Sequence, residues 1–238
     1  MILLNFRKKP QKAVYNHQQR TLITLDNPKA SISEQYRTIR TSIEFTAVDQ
    51  EIKTIVVTSS EPGEGKSTTV ANLAVAFSQQ GKKVLVVDAD LRLPTVHYTF
   101  KAPNMMGLTN VLTKQKTFNQ AVFQSEIKNL DILACGPIPP NPSELVGSQQ
   151  MRELLAMVVE EYDVVLFDTP PVLAVADAQI LANYCSGSVL VVSSGKTDTD
   201  KVAKAKEMLE AAKGKLLGAV LNNKKMDKTN YYYYYGAN

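Results

Sequence analysis

The sequence predicts an α/β fold, a mostly parallel central sheet with helices on both faces. Two observations carry this expectation. Six short apolar runs rich in β-branched residues punctuate the chain, and helix-like stretches lie between them. The 238 residues suffice for one large domain of this class, with a single core and no division into two units.

Residues 1–30 read as a polar N-terminal extension. Residues 31–48, "SISEQYRTIRTSIEFTAV", read as a helix: Ser31 with Glu34 forms a candidate capping box, and Tyr36, Ile39, Ile43 and Ala47 recur at helical spacing. The period then shortens. "TIVVTS" (54–59), "VLVVDAD" (84–90), "LDILAC" (130–135), "DVVLFD" (163–168), "SVLVVSS" (188–194) and "LLGAVLN" (216–222) are the expected strands. Helices are expected over 66–80, 105–124, 143–161, 177–184 and 198–213. In "GPIPPNPSEL" the prolines 139, 140 and 142 stiffen the backbone and Ser143 stands ready to cap the next helix, so the loop reads as a rigid crossover or a functional element. Residues 223–238 form a C-terminal tail holding five consecutive tyrosines, Tyr231, Tyr232, Tyr233, Tyr234 and Tyr235. Chain ends are poor places to bury rings, which leaves the phenolic hydroxyls as chemical acceptors.

Composition narrows the function. A net charge of +4 is too small to argue for nucleic acid, and none is expected as a direct partner. The basic patches "RKKPQK" (7–12) and "KKMDK" (224–228) read as solvated faces before contacts for an anionic partner. Cys135 and Cys185 offer neither metal spacing nor a disulfide framework, which fits a reducing cytoplasm. The apolar run 2–4 is too short for a signal or a span, so membrane contact is expected only through a partner.

The chemistry begins between the first strand and its helix, in "SSEPGEGKSTT" (59–69). Gly63 and Gly65 permit a tight backbone path whose amides turn toward phosphate oxygens; Lys66 reaches the β and γ phosphates, and the Ser67 hydroxyl suits Mg²⁺. The pattern departs from the strict glycine-rich form only at Ser60. The expected nucleotide contacts are Gly63, Glu64, Gly65, Lys66, Ser67 and Thr68, with Asn222 at the end of the last strand either bonding a base or merely closing the strand. Asp88 and Asp90 in "VLVVDADLR" and Asp168 in "VVLFDTPP" follow buried strands, on the edge where open α/β sheets bind ligands. Singly each could cap a helix or form a turn. Together with Lys66 and Ser67 they would repel one another unless a cation sat among them, and Mg²⁺ takes such carboxylates with water and phosphate oxygens. ATP and Mg²⁺ are therefore the expected cofactors.

These motifs, in this order and with the tyrosine tail, resemble the cytoplasmic kinase domain of bacterial protein-tyrosine kinases of the capsule and exopolysaccharide type found in Firmicutes. The resemblance implies a P-loop architecture shared with MinD and ParA. It implies ATP-dependent phosphorylation of the tail, favouring transfer between subunits, and of protein substrates such as a UDP-sugar dehydrogenase. It assigns Lys66 to the phosphates, Ser67, Asp88, Asp90 and Asp168 to the metal and its waters, and Asp88 to the role of candidate base. It also matches a Glu-x-x-Arg-x-x-Arg pattern to Glu34, Arg37 and Arg40, which spacing alone would read as a solvated stripe and which in the family builds a ring-shaped homo-oligomer. A separate transmembrane activator with a cytoplasmic docking segment would recruit the kinase to the inner face of the membrane. The competing class, a MinD- or ParA-like ATPase working as a nucleotide-switched dimer, carries a signature lysine where this chain has Glu61.

Overall fold

The computed structural model describes residues 21–46 and 51–224. In chain order the elements are α1 (Ile23–Asp26), α2 (Ser31–Thr46), β1 (Thr54–Ser59), α3 (Lys66–Gln79), β2 (Val84–Asp88), α4 (Val96–Phe100), α5 (Leu108–Leu112), α6 (Phe118–Ala121), β3 (Phe123–Gln124), β4 (Leu130–Leu133), α7 (Pro142–Val146), α8 (Gln149–Glu161), β5 (Val164–Asp168), α9 (Asp177–Ala182), β6 (Gly187–Ser193), α10 (Thr199–Glu210) and β7 (Lys215–Asn222).

Seven strands form one sheet in the order β3-β4-β2-β5-β1-β6-β7. Every pairing is parallel except β3 with β4, a short antiparallel edge. The central strands are buried on both sides, and their alternation sorts the core into two layers. Ile55, Val57, Val84 and Val86 face a cluster built with Val70, Leu73 and Phe77 of α3. Val56, Leu85, Val87 and Phe167 face another, with Leu108 of α5 and Met151, Leu154 and Val158 of α8. Leu190 of β6 meets Ala178 and Ala182 of α9 and Leu209 of α10 in a third, smaller cluster.

All six expected strands are present, and the differences fall between them. The stretch 105–124 is not one helix: α5 ends where the amides of Gln115 and Lys116 both turn back to the Asn110 carbonyl, Lys114 takes φ 59°, and α6 is a separate turn leading into β3. Gly107 opens α5 because a Cβ there would lie 2.1 Å from the Ala134 carbonyl oxygen. The stretch 143–161 is divided at Gly147 and Ser148, and it is Ser148 that caps α8, accepting from the Met151 amide at 3.2 Å. Ser143 is not a cap; Pro142 occupies the first turn of α7 after Asn141, and the Ser143 side chain turns to Asp177. Ser31 is likewise inside α2, with Ala30 accepting the Glu34 amide.

Of residues 1–30, those from 21 onward belong to the folded body. Thr24 is buried, and its amide and hydroxyl both donate to Asn72 Oδ1 of α3, at 3.1 and 3.0 Å. Asn72 Nδ2 donates in turn to the carbonyls of Thr21 and Thr68. Residues 1–20, and the five tail tyrosines with the rest of 225–238, lie outside the described residues.

Candidate functional site

Strand polarity assembles the site. β2, β5, β1, β6 and β7 run parallel, so Asp88, Asp168, Ser59, Ser193 and Asn222, the last residues of these strands, come out on one edge. The loop after β1 bends there into the N-terminus of α3. Gly63 and Gly65 take φ 80° and 95°, a region closed to most side chains. A Cβ on Gly65 would stand 2.0 Å from Asn222 Nδ2. The loop is braced from below: Glu64 is buried, its carboxylate accepts the Glu61 amide at 3.0 Å and the Thr197 hydroxyl, and its carbonyl accepts Asn222 Nδ2 at 2.8 Å. The Asn222 amide nitrogen is thus committed to the loop. Lys201 closes on Glu61 at 2.5 Å.

Lys66, at the first position of α3, turns into the acids. Its ammonium lies 3.1 Å from Asp90 Oδ2 and 3.5 Å from Asp168 Oδ1, and 3.4 Å from Ser67 Oγ, with 13% of the side chain exposed. Burial alone would lower its pKa. Asp168 and Asp90 outweigh that and hold the lysine above its ordinary value. The positive charge among the three acids is therefore the lysine's own.

Asp88 and Asp168 are register partners on neighbouring parallel strands, and both are fully buried. Asp88 Oδ2 accepts the amides of Thr95 and Val96, each at 2.9 Å, while Oδ1 is buried with no hydrogen-bond partner among the described residues. Burial, aided by the Asp168 charge, pushes the Asp88 carboxyl up to about 8, against the lowering effect of the Val96 amide and Lys66. Asp90 sits two residues beyond the strand, held by the Leu93 amide at 3.1 Å.

The residues present suit a magnesium nucleotide. The donors Ser67, Asp88, Asp90 and Asp168 are all hard oxygens, and an orphaned carboxylate oxygen is already buried among them. Among the described residues no three His, Cys, Asp or Glu groups close on a metal by themselves. A fitting ion would be one that completes its shell with ligand oxygens and water.

The expected site residues Gly63, Glu64, Gly65, Lys66, Ser67, Thr68, Asp88, Asp90, Asp168 and Asn222 lie on this edge or in the loop and helix turn beside it. Glu34, Arg37 and Arg40 lie on α2, away from it: Glu34 pairs with Arg37, Arg37 donates to the Pro28 carbonyl at 2.7 Å, and Arg40 donates to the Ala76 carbonyl of α3 at 2.8 Å. Thr197 and the Arg92–Asp177–Ser143 network escaped the sequence reading. Arg92 reaches buried Asp177 at 3.0 Å and Ser143 at 2.9 Å, pinning the turn after Asp90 to α9 and α7. "DADLR" carries no local signal of these partners, which lie 51 and 85 residues away. A cavity of about 460 Å³ opens elsewhere, between α1, α4 and the β3 edge, and contains none of these groups.

Comparison with known proteins shows the family of the chain. Residues 52–204 match the family model described as AAA domain. The chain is 59% identical over 219 residues to tyrosine-protein kinase YwqD of Bacillus subtilis, covering 92% of each. Among solved structures it resembles the chimerical protein CapA2B2 (TM-score 0.83, 46% identity, covering 86% of this chain and 90% of that one). It resembles the kinase domain of the Escherichia coli tyrosine kinase ETK equally well (TM-score 0.84, 33% identity, covering 89% and 83%). The cell-division ATPase MinD of Pyrococcus furiosus, at 24% identity and TM-score 0.64 over 74% of each chain, shares the fold. Fold and sequence together make this chain a member of the bacterial tyrosine-protein kinases, enzymes built on a P-loop sheet.

Proposed function

We propose that this kinase uses Mg²⁺-ATP to phosphorylate its own C-terminal tyrosines, Tyr231 to Tyr235, on a neighbouring subunit, and protein substrates such as a UDP-sugar dehydrogenase of polysaccharide synthesis. The observation that carries this reading is the meeting of Lys66 with Asp90 and Asp168 on the very edge where β7 delivers the chain to its tail. Sixteen residues follow Asn222, an extended reach of roughly 50 Å.

In this reading the amides of residues 63–68 and the Lys66 ammonium bind the phosphates and stabilise charge as it shifts during a loose phosphoryl transfer. Asn222 serves by bracing the loop that does so. Ser67, Asp88, Asp90 and Asp168 would hold Mg²⁺, which when bound neutralises phosphate charge and orients the transferring group. Asp88 Oδ1 accepts the phenolic proton late, as the tyrosine oxygen bonds to phosphorus. A tyrosine of pKa about 10 is about six units from an ordinary aspartate, so Asp88 serves by orienting the phenol and takes its proton only as the new oxygen–phosphorus bond makes that proton acidic. Lys66 returns to Asp90 and Asp168 when the phosphates leave.

Glu34, Arg37 and Arg40 would build a ring-shaped homo-oligomer. α2 supports such a contact by also exposing Phe45, at 73%. No helix among the described residues is long and apolar enough to cross a membrane. A separate transmembrane activator with a cytoplasmic docking segment would hold the chain at the inner membrane face. The MinD-like alternative loses ground at Glu61, whose carboxylate is closed on Lys201 where that class carries a lysine.

The test is to incubate the chain with ATP and Mg²⁺ and map phosphotyrosine by mass spectrometry. Modification should fall on the tail, and it should vanish in Lys66→Ala and Asp88→Ala. Mixing Lys66→Ala protein with a tail-deleted, active chain should restore it on the former. Undiminished phosphotyrosine in both single variants would overturn the assigned roles.

A further inference from the structure

A second lysine stands over the phosphate loop. Lys196 Nζ lies 3.6 Å from the point where a Cβ on Gly63 would be, so the ammonium covers the glycine backbone directly. Its backbone is held in place: Gly195 turns the chain with φ 69°, and the amides of Lys196 and Thr197 both return to the Ser193 carbonyl, at 3.2 and 3.1 Å. The next residue, Thr197, is fastened to the loop itself through Glu64, and its hydroxyl also accepts the Ser193 amide at 3.0 Å.

Charge separates Lys196 from its neighbours. Lys201, one turn into α10, is spent on Glu61, and Lys66 is spent on Asp90 and Asp168. Lys196 is exposed and makes no ion pair among the described residues, although its position beside the loop is fixed from both sides.

Direction follows from the strand order. β1 lies between β5, which carries Asp168, and β6, which carries the turn of Lys196. The acids and Lys66 mark the transferring end of the nucleotide, so the opposite flank, shared by Lys196 and Asn222, belongs to the end nearer the nucleoside. We propose that Lys196 is a further nucleotide-binding residue, contacting the phosphates on the nucleoside side of the loop, and that it sets affinity rather than the rate of transfer. The inference rests on the P-loop reading of the site. ATP and ADP share the phosphates on that flank, so both would feel the loss of the lysine alike.

Isothermal titration of the full chain with ADP and with a non-hydrolysable ATP analogue, both with Mg²⁺, tests this. A charge-assisted contact of this kind corresponds to about tenfold in Kd. Lys196→Ala should weaken both ligands by about that factor, with kcat at saturating ATP unchanged. Lys196→Arg should bind nearly as well as the parent. Lys204→Ala, which removes an exposed charge from α10, the helix that follows Lys196, should bind as the parent does. Kd values for Lys196→Ala within twofold of the parent would overturn the proposal, as would an equal loss in Lys204→Ala, which would mean only a diffuse field. Weakening of the ATP analogue alone would place the contact at the transferring end and overturn the assignment to the nucleoside flank. A parent chain that binds neither ligand would instead refute the P-loop reading, and this proposal with it.

Discussion

At the scale of residues the site is a problem in burying charge. Three aspartates and a lysine share one desolvated edge, and Lys66 offsets repulsion that would otherwise be severe. Asp88 shows the residual cost, since its folded pKa of about 8 lies far above that of an exposed aspartate. The sign of the linkage follows. Between about pH 4 and pH 8 the folded chain binds a proton at Asp88 that the unfolded chain has released, so the nucleotide-free fold loses stability as pH rises through that window. Asp88→Asn removes the ionisation while keeping an oxygen for the Thr95 and Val96 amides. The variant should lose tyrosine phosphorylation yet unfold at higher urea concentration than the parent at pH 8. The advantage should fade toward pH 4. Equal urea midpoints at pH 8 would show that Asp88 is not the strained group. The types of these residues were legible, because acids after buried strands and a lysine after a glycine turn are unusual in sequence. Their pairing was less so: the cation among the acids is a side chain on α3 before it is any metal.

At the scale of elements, strands were easier to read than helices. A doubly buried strand needs a continuous apolar run, and each such run is visible locally. The expected helices 105–124 and 143–161 carry no proline in the places where they break; they break because the Gln115 and Lys116 amides turn back to the Asn110 carbonyl, with Lys114 at φ 59°, and because Ser148 offers a better cap than a continued turn. The attachment of α1 was invisible for the same reason. Asn72 is an unremarkable polar residue in "ANLAV", and its role appears only when Thr24, 48 residues earlier, is brought against it. Asn72→Ala would leave the buried Thr24 donors and the Thr21 and Thr68 carbonyls without this partner. The expected cost is about 2–4 kcal/mol in urea unfolding. A change below about 0.5 kcal/mol would mean that α1 contributes nothing to the fold.

At the scale of the whole molecule, α2 carries two kinds of arginine. Arg40 is spent inside the chain on the Ala76 carbonyl, whereas Glu34 and Arg37 pair with each other at the surface. If they build the proposed ring, Glu34→Ala and Arg37→Ala should lower the mass measured by light scattering while leaving the thermal midpoint nearly unchanged. Arg40→Ala should lower both. Phosphorylation of the tail should act in the same direction, since each phosphotyrosine adds about −1.5 to −2 charges to the segment that, on the proposed function, must enter an edge already holding Asp88, Asp90 and Asp168. Equal mass for the modified and unmodified chain at one concentration would refute that coupling.

Read alone, the sequence determined the fold class and the kinds of groups that would line the site, because burial patterns, glycine turns and acids at strand ends are local properties of a chain. Tertiary structure decided the rest. Which acid meets Lys66, why Asn222 holds a loop, and how Thr197 and Lys196 come to flank that loop all depend on strand order, and strand order is set by how distant segments pack. Bringing β6 rather than β4 beside β1 is a contest among nonlocal contacts whose energies no short stretch of sequence contains.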